Sequence, residues 1–367
     1  MNDTGLLPVM DDPLVGQLAR LGAGYDEVPS HPADSISALA RANLLVRFAP
    51  VEAGGEQFAN EDARHRAMFD ALRRVGRGDL SVGRLYEGHV NAVSLFGWYA
   101  TSVQRAWLGS VLAQGAVFGV WATEPAPGVA LVETDGGPVL RGAKSFASGA
   151  GGIAYAVVTV QPASGDRRLA VVAADDAACT DARGWRVRGM RASMSGAYDL
   201  TGYPMNEDRL LGAPGDYDRE PRFTSGAWRF TAVQLGGIEA LLTETRATLS
   251  EPARADPLAR AAFGQAIVAT RTAGLWVREA AVRAAGEDRD AAAFARMTRG
   301  VVERAGLDVM EHAARLVGTR SAFAGQRVDK IIRDLSLYLR QAGPDQVRDA
   351  AVTDWLDHDC WGEDAWW

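Results

Sequence analysis

The chain has 367 residues, 47% hydrophobic and 23% charged, with a net charge of −7. That length supports a large core or more than one domain. The acid excess excludes a general affinity for nucleic acid or an anionic membrane surface, so any anionic ligand needs a local basic site. With only Cys179 and Cys360, a disulfide framework and a cysteine-based zinc cluster are excluded. The N-terminal stretch MNDTGLLPVMDDPLVGQLAR has acids where a signal peptide has lysines, and Pro8 and Asp11 break its apolar run. No run reaches the roughly 18 apolar residues of a membrane span. The expected location is cytoplasmic.

In chain order, residues 1–118 are rich in Ala and Leu at helical spacing, as in HPADSISALARANLL and RHRAMFDALRRVGRG. Residues 119–215 change character. GVALVETD, PVLRGAKSFASG, AYAVVTVQ and RRLAVVAAD are short Val-rich runs bounded by Gly, Asp and Pro, which predicts strands. Residues 216–367 return to helix, with segments predicted over 226–250, 258–286, 288–317 and 327–341. Helices, then strands, then helices predict an α+β fold: an N-terminal helical domain, a central barrel-like β-sheet domain and a C-terminal helical bundle with a short tail. The GAGG at 149–152 opens no G-x-G-x-x-G helix, which argues against a Rossmann site. His312, and His358 with Cys360 in HDCWG, do not assemble a metal site, and no metal is expected.

Several motifs in this order resemble the acyl-CoA dehydrogenase superfamily of flavoproteins. WATEPAPG, Trp121–Gly128, resembles the segment whose backbone and threonine hydroxyl meet the flavin ring, which implies cofactor contacts from Trp121, Ala122 and Thr123. GAKSFASGA, Gly142–Ala150, is similar to the strand whose aromatic residue lies along the ring and whose hydroxyl bonds near the reactive nitrogen, implying Phe146 and Ser148. GMRASMSGAYDL, Gly189–Leu200, resembles the strand that closes the sheet. RAAFGQAI, with Arg260 and Phe263, and RLVGTRSAF, with Gly318, resemble the segments that reach the pyrophosphate, the first in a neighbouring subunit. The resemblance therefore implies FAD and a homo-oligomer, dimer or tetramer, with sites at subunit contacts.

On the reaction, the resemblance is incomplete. RDLSLYLRQAG begins like the segment that ends in the family's catalytic glutamate, yet the count puts Ala342 in that place, with Gly343 and then Pro344 after it. The first helix after the sheet region begins SGAWRFTAV and has no acid either, and Val129-Ala130 replaces the family's Ser-Asp. The main expectation is an FAD-dependent oxidoreductase acting on an acyl thioester or similar small substrate with its usual base missing. A second is a flavin monooxygenase on the same fold using His89, in YEGHVNAVSLFGW, since a histidine near its ordinary pKa suits proton transfer. A third is a non-catalytic binding or assembly member. Neither nucleic acid nor membrane is expected as a partner.

Overall fold

The computed structural model describes residues 12–340 and 343–357. Among the described residues, five helices come first: α1 (Pro13–Glu27), α2 (Ala33–Arg41), α3 (Glu61–Gly78), α4 (Leu80–Tyr99) and α5 (Ser102–Leu112). Nine strands follow: β1 (Phe118–Trp121), β2 (Ala130–Val132), β3 (Val139–Arg141), β4 (Ala143–Ala147), β5 (Tyr155–Val160), β6 (Arg168–Ala173), β7 (Thr180–Asp181), β8 (Gly196–Asp199) and β9 (Leu210–Leu211). The chain then returns to helix with α6 (Arg222–Ser225), α7 (Trp228–Thr248), α8 (Glu251–Ala255), α9 (Pro257–Gly286), α10 (Ala291–Val317), α11 (Arg327–Tyr338) and α12 (Pro344–Asp357). This is the expected α+β order. By contacts the chain forms two compact units, one of Met1–Ala19, Ala59–Leu80 and Glu220–Trp367, the other of Arg20–Phe58 and Ser81–Arg219.

The first unit is a helical bundle. In α3, Asn60 caps the N-terminus by accepting from the Ala63 N–H at 2.8 Å, and Met68, Phe69, Leu72 and Val75 bury one face at helical spacing. That face meets α7 at backbone distance. A Cβ on Gly76 would stand 2.3 Å from the Val233 carbonyl oxygen, and one on Gly236 would stand 2.2 Å from that of Arg73. Either Gly→Ala change would force the helices apart. Farther along, Trp276 of α9 stacks on Phe294 of α10 with ring centroids 4.7 Å apart. Half-buried Lys330 of α11 donates to Asp79 at 2.7 Å and to Asp334 at 2.6 Å. Burial alone would lower the Lys330 pKa, but the two carboxylates override it and hold the amine charged.

The second unit carries the sheets. A four-stranded sheet runs β1-β5-β6-β9, with β1 parallel to β5 and the other pairs antiparallel. The Val-rich sequences of β5 and β6 are explained by burial of nearly every residue. β2 and β3 form a hairpin, and β4-β8-β7 form a three-stranded sheet. The segment Gly189–Leu200, expected to be one strand, is extended only over β8. Met190 (φ 56°) and Met194 (φ 43°) take left-handed conformations on either side of a short 3-10 turn, Arg191–Ser193, and interrupt it. The β4–β8 ladder also shifts register between Lys144 and Ala147, where Phe146 has φ 51°.

Candidate functional site

The ends of β1 and β4 are held side by side in the second unit. The Ser145 N–H donates to the Thr123 carbonyl at 2.9 Å, and the Trp121 indole N–H donates to the Ser148 carbonyl at 3.1 Å. Below them lies Lys144, fully buried. Its ammonium donates to the Thr159 carbonyl at 2.5 Å and the Thr159 hydroxyl at 2.8 Å, and pairs with Glu124. Burial lowers the Lys144 pKa, and Glu124 opposes that shift. One side chain thus ties β4, β5 and the Thr-Glu-Pro loop together, which explains why that lysine and that glutamate occur in the two motifs.

This framework leaves an open face. Trp121 is buried, Ala122 and Ser148 are half-buried, Thr123 is exposed, and Phe146 is 67% exposed. A large aromatic side chain facing solvent from a left-handed backbone position is costly for folding alone, and such outliers concentrate at ligand sites. Exposed ring, exposed hydroxyl and half-buried hydroxyl are a hydrogen-bonding and contact set that fits the edge and face of a planar heterocycle such as a flavin ring.

Behind Ser148 the structure adds residues that the motif reading treated only as a strand. The Ser148 hydroxyl lies 3.1 Å from that of Ser195, which lies 3.0 Å from that of Ser193, which donates to the Met190 carbonyl at 2.8 Å. Their spacing, Ser-Met-Ser, was the available signal. Arg84, Trp121 and Ser148 also line one small cavity together with Phe118 and Gly119.

His89 is placed elsewhere in the second unit and is saturated. Its Nδ1 accepts the Phe118 N–H at 3.1 Å, and its Nε2 lies 2.6 Å from the Leu45 carbonyl, to which it donates. The ring is 1% exposed, and burial pushes its pKa down to about 4. Both nitrogens are committed to backbone, so a proton-shuttling role finds no free atom. Glu87, also buried, pairs with Arg84 and accepts from Asn91.

In the first unit, exposed Arg260 donates to the carbonyls of Arg254 at 3.3 Å and Ala255 at 2.5 Å, satisfying the end of α8. Phe263 is half-buried on α9. Gly318 ends α10 at φ 70°, with open space where a Cβ would stand. Ala342 lies outside the described residues.

Residues 220–356 match the family model of the acyl-CoA dehydrogenase C-terminal domain. The C-terminal helical region thus carries that family's domain. Beyond that domain, the chain is 27% identical over 278 residues to the dibenzothiophene monooxygenase of Rhodococcus erythropolis, an alignment that covers 66% of this chain and 64% of that protein. Its fold is that of TdsC from Paenibacillus sp. A11-2, solved with FMN and indole, with a TM-score of 0.82 at 20% identity over 94% of this chain and 96% of the other. It is equally that of the methanesulfinate monooxygenase MsuC from Pseudomonas fluorescens, with a TM-score of 0.80 at 21% identity over 94% and 96%.

These relatives correct the cofactor. The sequence motifs implied FAD, whereas the solved relative TdsC holds FMN, which lacks the adenylate half. The structure offers a physical reason: Arg260, assigned to the pyrophosphate, is engaged by its own helix terminus. No described helix is long and apolar enough to cross a membrane.

Proposed function

We propose that this chain is a flavin-dependent monooxygenase that binds FMN on the face formed by Trp121, Ala122, Thr123, Phe146 and Ser148. The observation that carries the reading is the chemistry of that face. Among the described residues it offers aromatic surface and hydroxyls, while the nearby carboxylate of Glu124 is paired with Lys144. Removing an α-proton from an acyl thioester requires a base within reach of it, and His89 has no free nitrogen. The likeness to a monooxygenase over two thirds of the chain supports the same reading.

Bound reduced FMN would supply the electrons that activate dioxygen. For the chain's own residues, Phe146 covers the ring, Thr123 and Ser148 hydrogen-bond its edges, and Lys144 with Glu124 fixes the loop that carries Thr123. The substrate is a small organic molecule, and the names of the relatives direct the search to sulfur compounds and nitrogen heterocycles. We also read the assembly as a homo-oligomer. Val268 and Leu275, one heptad apart on α9, are 66% and 65% exposed, as expected of a face covered by another copy. A monomer in sedimentation velocity at micromolar concentration would remove that part.

The functional test is an anaerobic titration of the FMN-loaded protein with acyl-CoA esters, beside an aerobic assay with a separate flavin reductase. The visible band should survive every ester, and substrate oxygenation should depend on the reductase. Bleaching by an ester would restore the dehydrogenase reading.

A further inference from the structure

A serine hydroxyl has one proton to donate and two lone pairs to accept with. Three such groups run in series from the open face into the second unit, and the last of them has no choice of direction. The Met190 carbonyl can only accept, so the Ser193 proton is spent on it at 2.8 Å. At the 3.0 Å contact between Ser193 and Ser195 the donor is therefore Ser195. With that proton committed, the 3.1 Å contact between Ser195 and Ser148 must be made by the Ser148 proton. Ser193 and Ser195 are 1% and 5% exposed, so no bulk water competes to reverse the order. Ser148 is left half-buried, lining the cavity it shares with Trp121, with only lone pairs to present outward. Hydroxyls in series also polarise one another, which strengthens the acceptor at the head of the chain.

We propose that Ser193 and Ser195 act as positioning residues that hold Ser148 as a hydrogen-bond acceptor, so that the site selects reduced FMN over oxidised FMN. The inference rests on the reading above in which Ser148 faces the reactive ring nitrogen. In oxidised flavin that nitrogen carries a lone pair, which an acceptor repels. In reduced flavin it carries an N–H, which an acceptor binds. A protein with this preference takes its flavin already reduced from a separate donor, and a two-electron donor bound in the site itself is not required.

The test is the ratio of dissociation constants for oxidised and dithionite-reduced FMN, measured anaerobically on the full-length protein. Reduced FMN should bind about tenfold more tightly, the value of one hydrogen bond gained against one repelled. A tenfold ratio raises the midpoint potential of the bound flavin by about 30 mV over free FMN. Ser195→Ala should bring both readouts back toward the free values, and Ser195→Thr, which keeps the hydroxyl, should preserve them. A role confined to packing would move the melting temperature and leave the ratio alone. If Ser195→Ala does not fold, Ser148→Ala is read instead and should lose the same preference. A wild-type ratio near one, or a ratio that survives Ser195→Ala, overturns the inference while leaving FMN binding intact. Failure of the protein to bind FMN in either state overturns the inference and the functional reading together.

Discussion

The backbone N–H of Phe118 donates to Nδ1 of His89 across 3.1 Å, and the opposite nitrogen of that ring donates to the Leu45 carbonyl. One imidazole thus fastens α4 to the start of β1 and to the segment before Pro50, and Phe118 is the first residue of the strand that ends at Trp121. With both nitrogens bonded to backbone, the histidine secures the start of that strand and has no free ring atom for proton transfer.

His89→Ala should leave the Leu45 and Phe118 groups unpaired around a cavity, and so cost about 2–4 kcal/mol in urea unfolding. A pH effect follows from its depressed pKa. The folded state holds His89 neutral down to about pH 4, while the unfolded chain protonates it near 6.5, so its contribution is complete above 6.5 and is lost as pH falls toward 4. Buried His65, also lowered by burial to about 4, acts in the same direction. Urea midpoints should therefore drop between pH 7 and pH 4.5, less steeply in His89→Ala. A midpoint that is flat over this range would contradict the assignment of both rings as neutral.

Lys144 should matter to both stability and flavin affinity. Lys144→Met strands the Thr159 carbonyl and removes the partner of Glu124, which is 24% exposed and so in part rehydrated. The expected cost is about 2 kcal/mol. Because the Thr123 loop loses its anchor, FMN should bind more weakly as well. Unchanged FMN affinity in a destabilised variant would show that the loop is held by other means.

Phe146 and Arg260 give opposite expectations. Phe146→Ala removes an exposed ring from a left-handed position, so stability should hold or rise slightly while the FMN dissociation constant rises about 2- to 10-fold from lost aromatic contact. Arg260→Ala should cost about 0.5–1.5 kcal/mol through the end of α8 and leave FMN affinity unchanged. Titrations of each variant with FMN and with FAD separate the two, and a selective loss of FAD binding in Arg260→Ala would speak for the longer cofactor.

The sequence carried the helix–strand–helix order because the relevant signals are local. Continuous Val-rich runs mark β5 and β6, and helical spacing marks α9 and α10 within a few residues. Motif spacing likewise brought Trp121, Thr123, Phe146 and Ser148 to attention, and the structure sets them on adjoining strand ends. The role of His89 was not legible, because its partners lie 44 and 29 residues away and only the folded chain brings them to the ring. Ser193 and Ser195 were hidden because the segment read as one strand, in which their hydroxyls carried no direction; the turn over Arg191–Ser193 brings the Ser193 hydroxyl to the Met190 carbonyl that sets it. The FAD expectation came from the motifs that hold Arg260, Phe263 and Gly318, and the sequence did not reveal that the Arg260 guanidinium bonds the end of α8.

The most direct measurement supplies the protein with FMN reduced by a separate reductase under ¹⁸O₂, together with a panel of small thiophenes, sulfinates and indoles, and follows product mass. The account predicts a product that has gained one ¹⁸O atom, formed only when protein, reductase and FMN are all present. It is contradicted if no panel member gains label while acyl-CoA esters bleach the bound flavin under nitrogen.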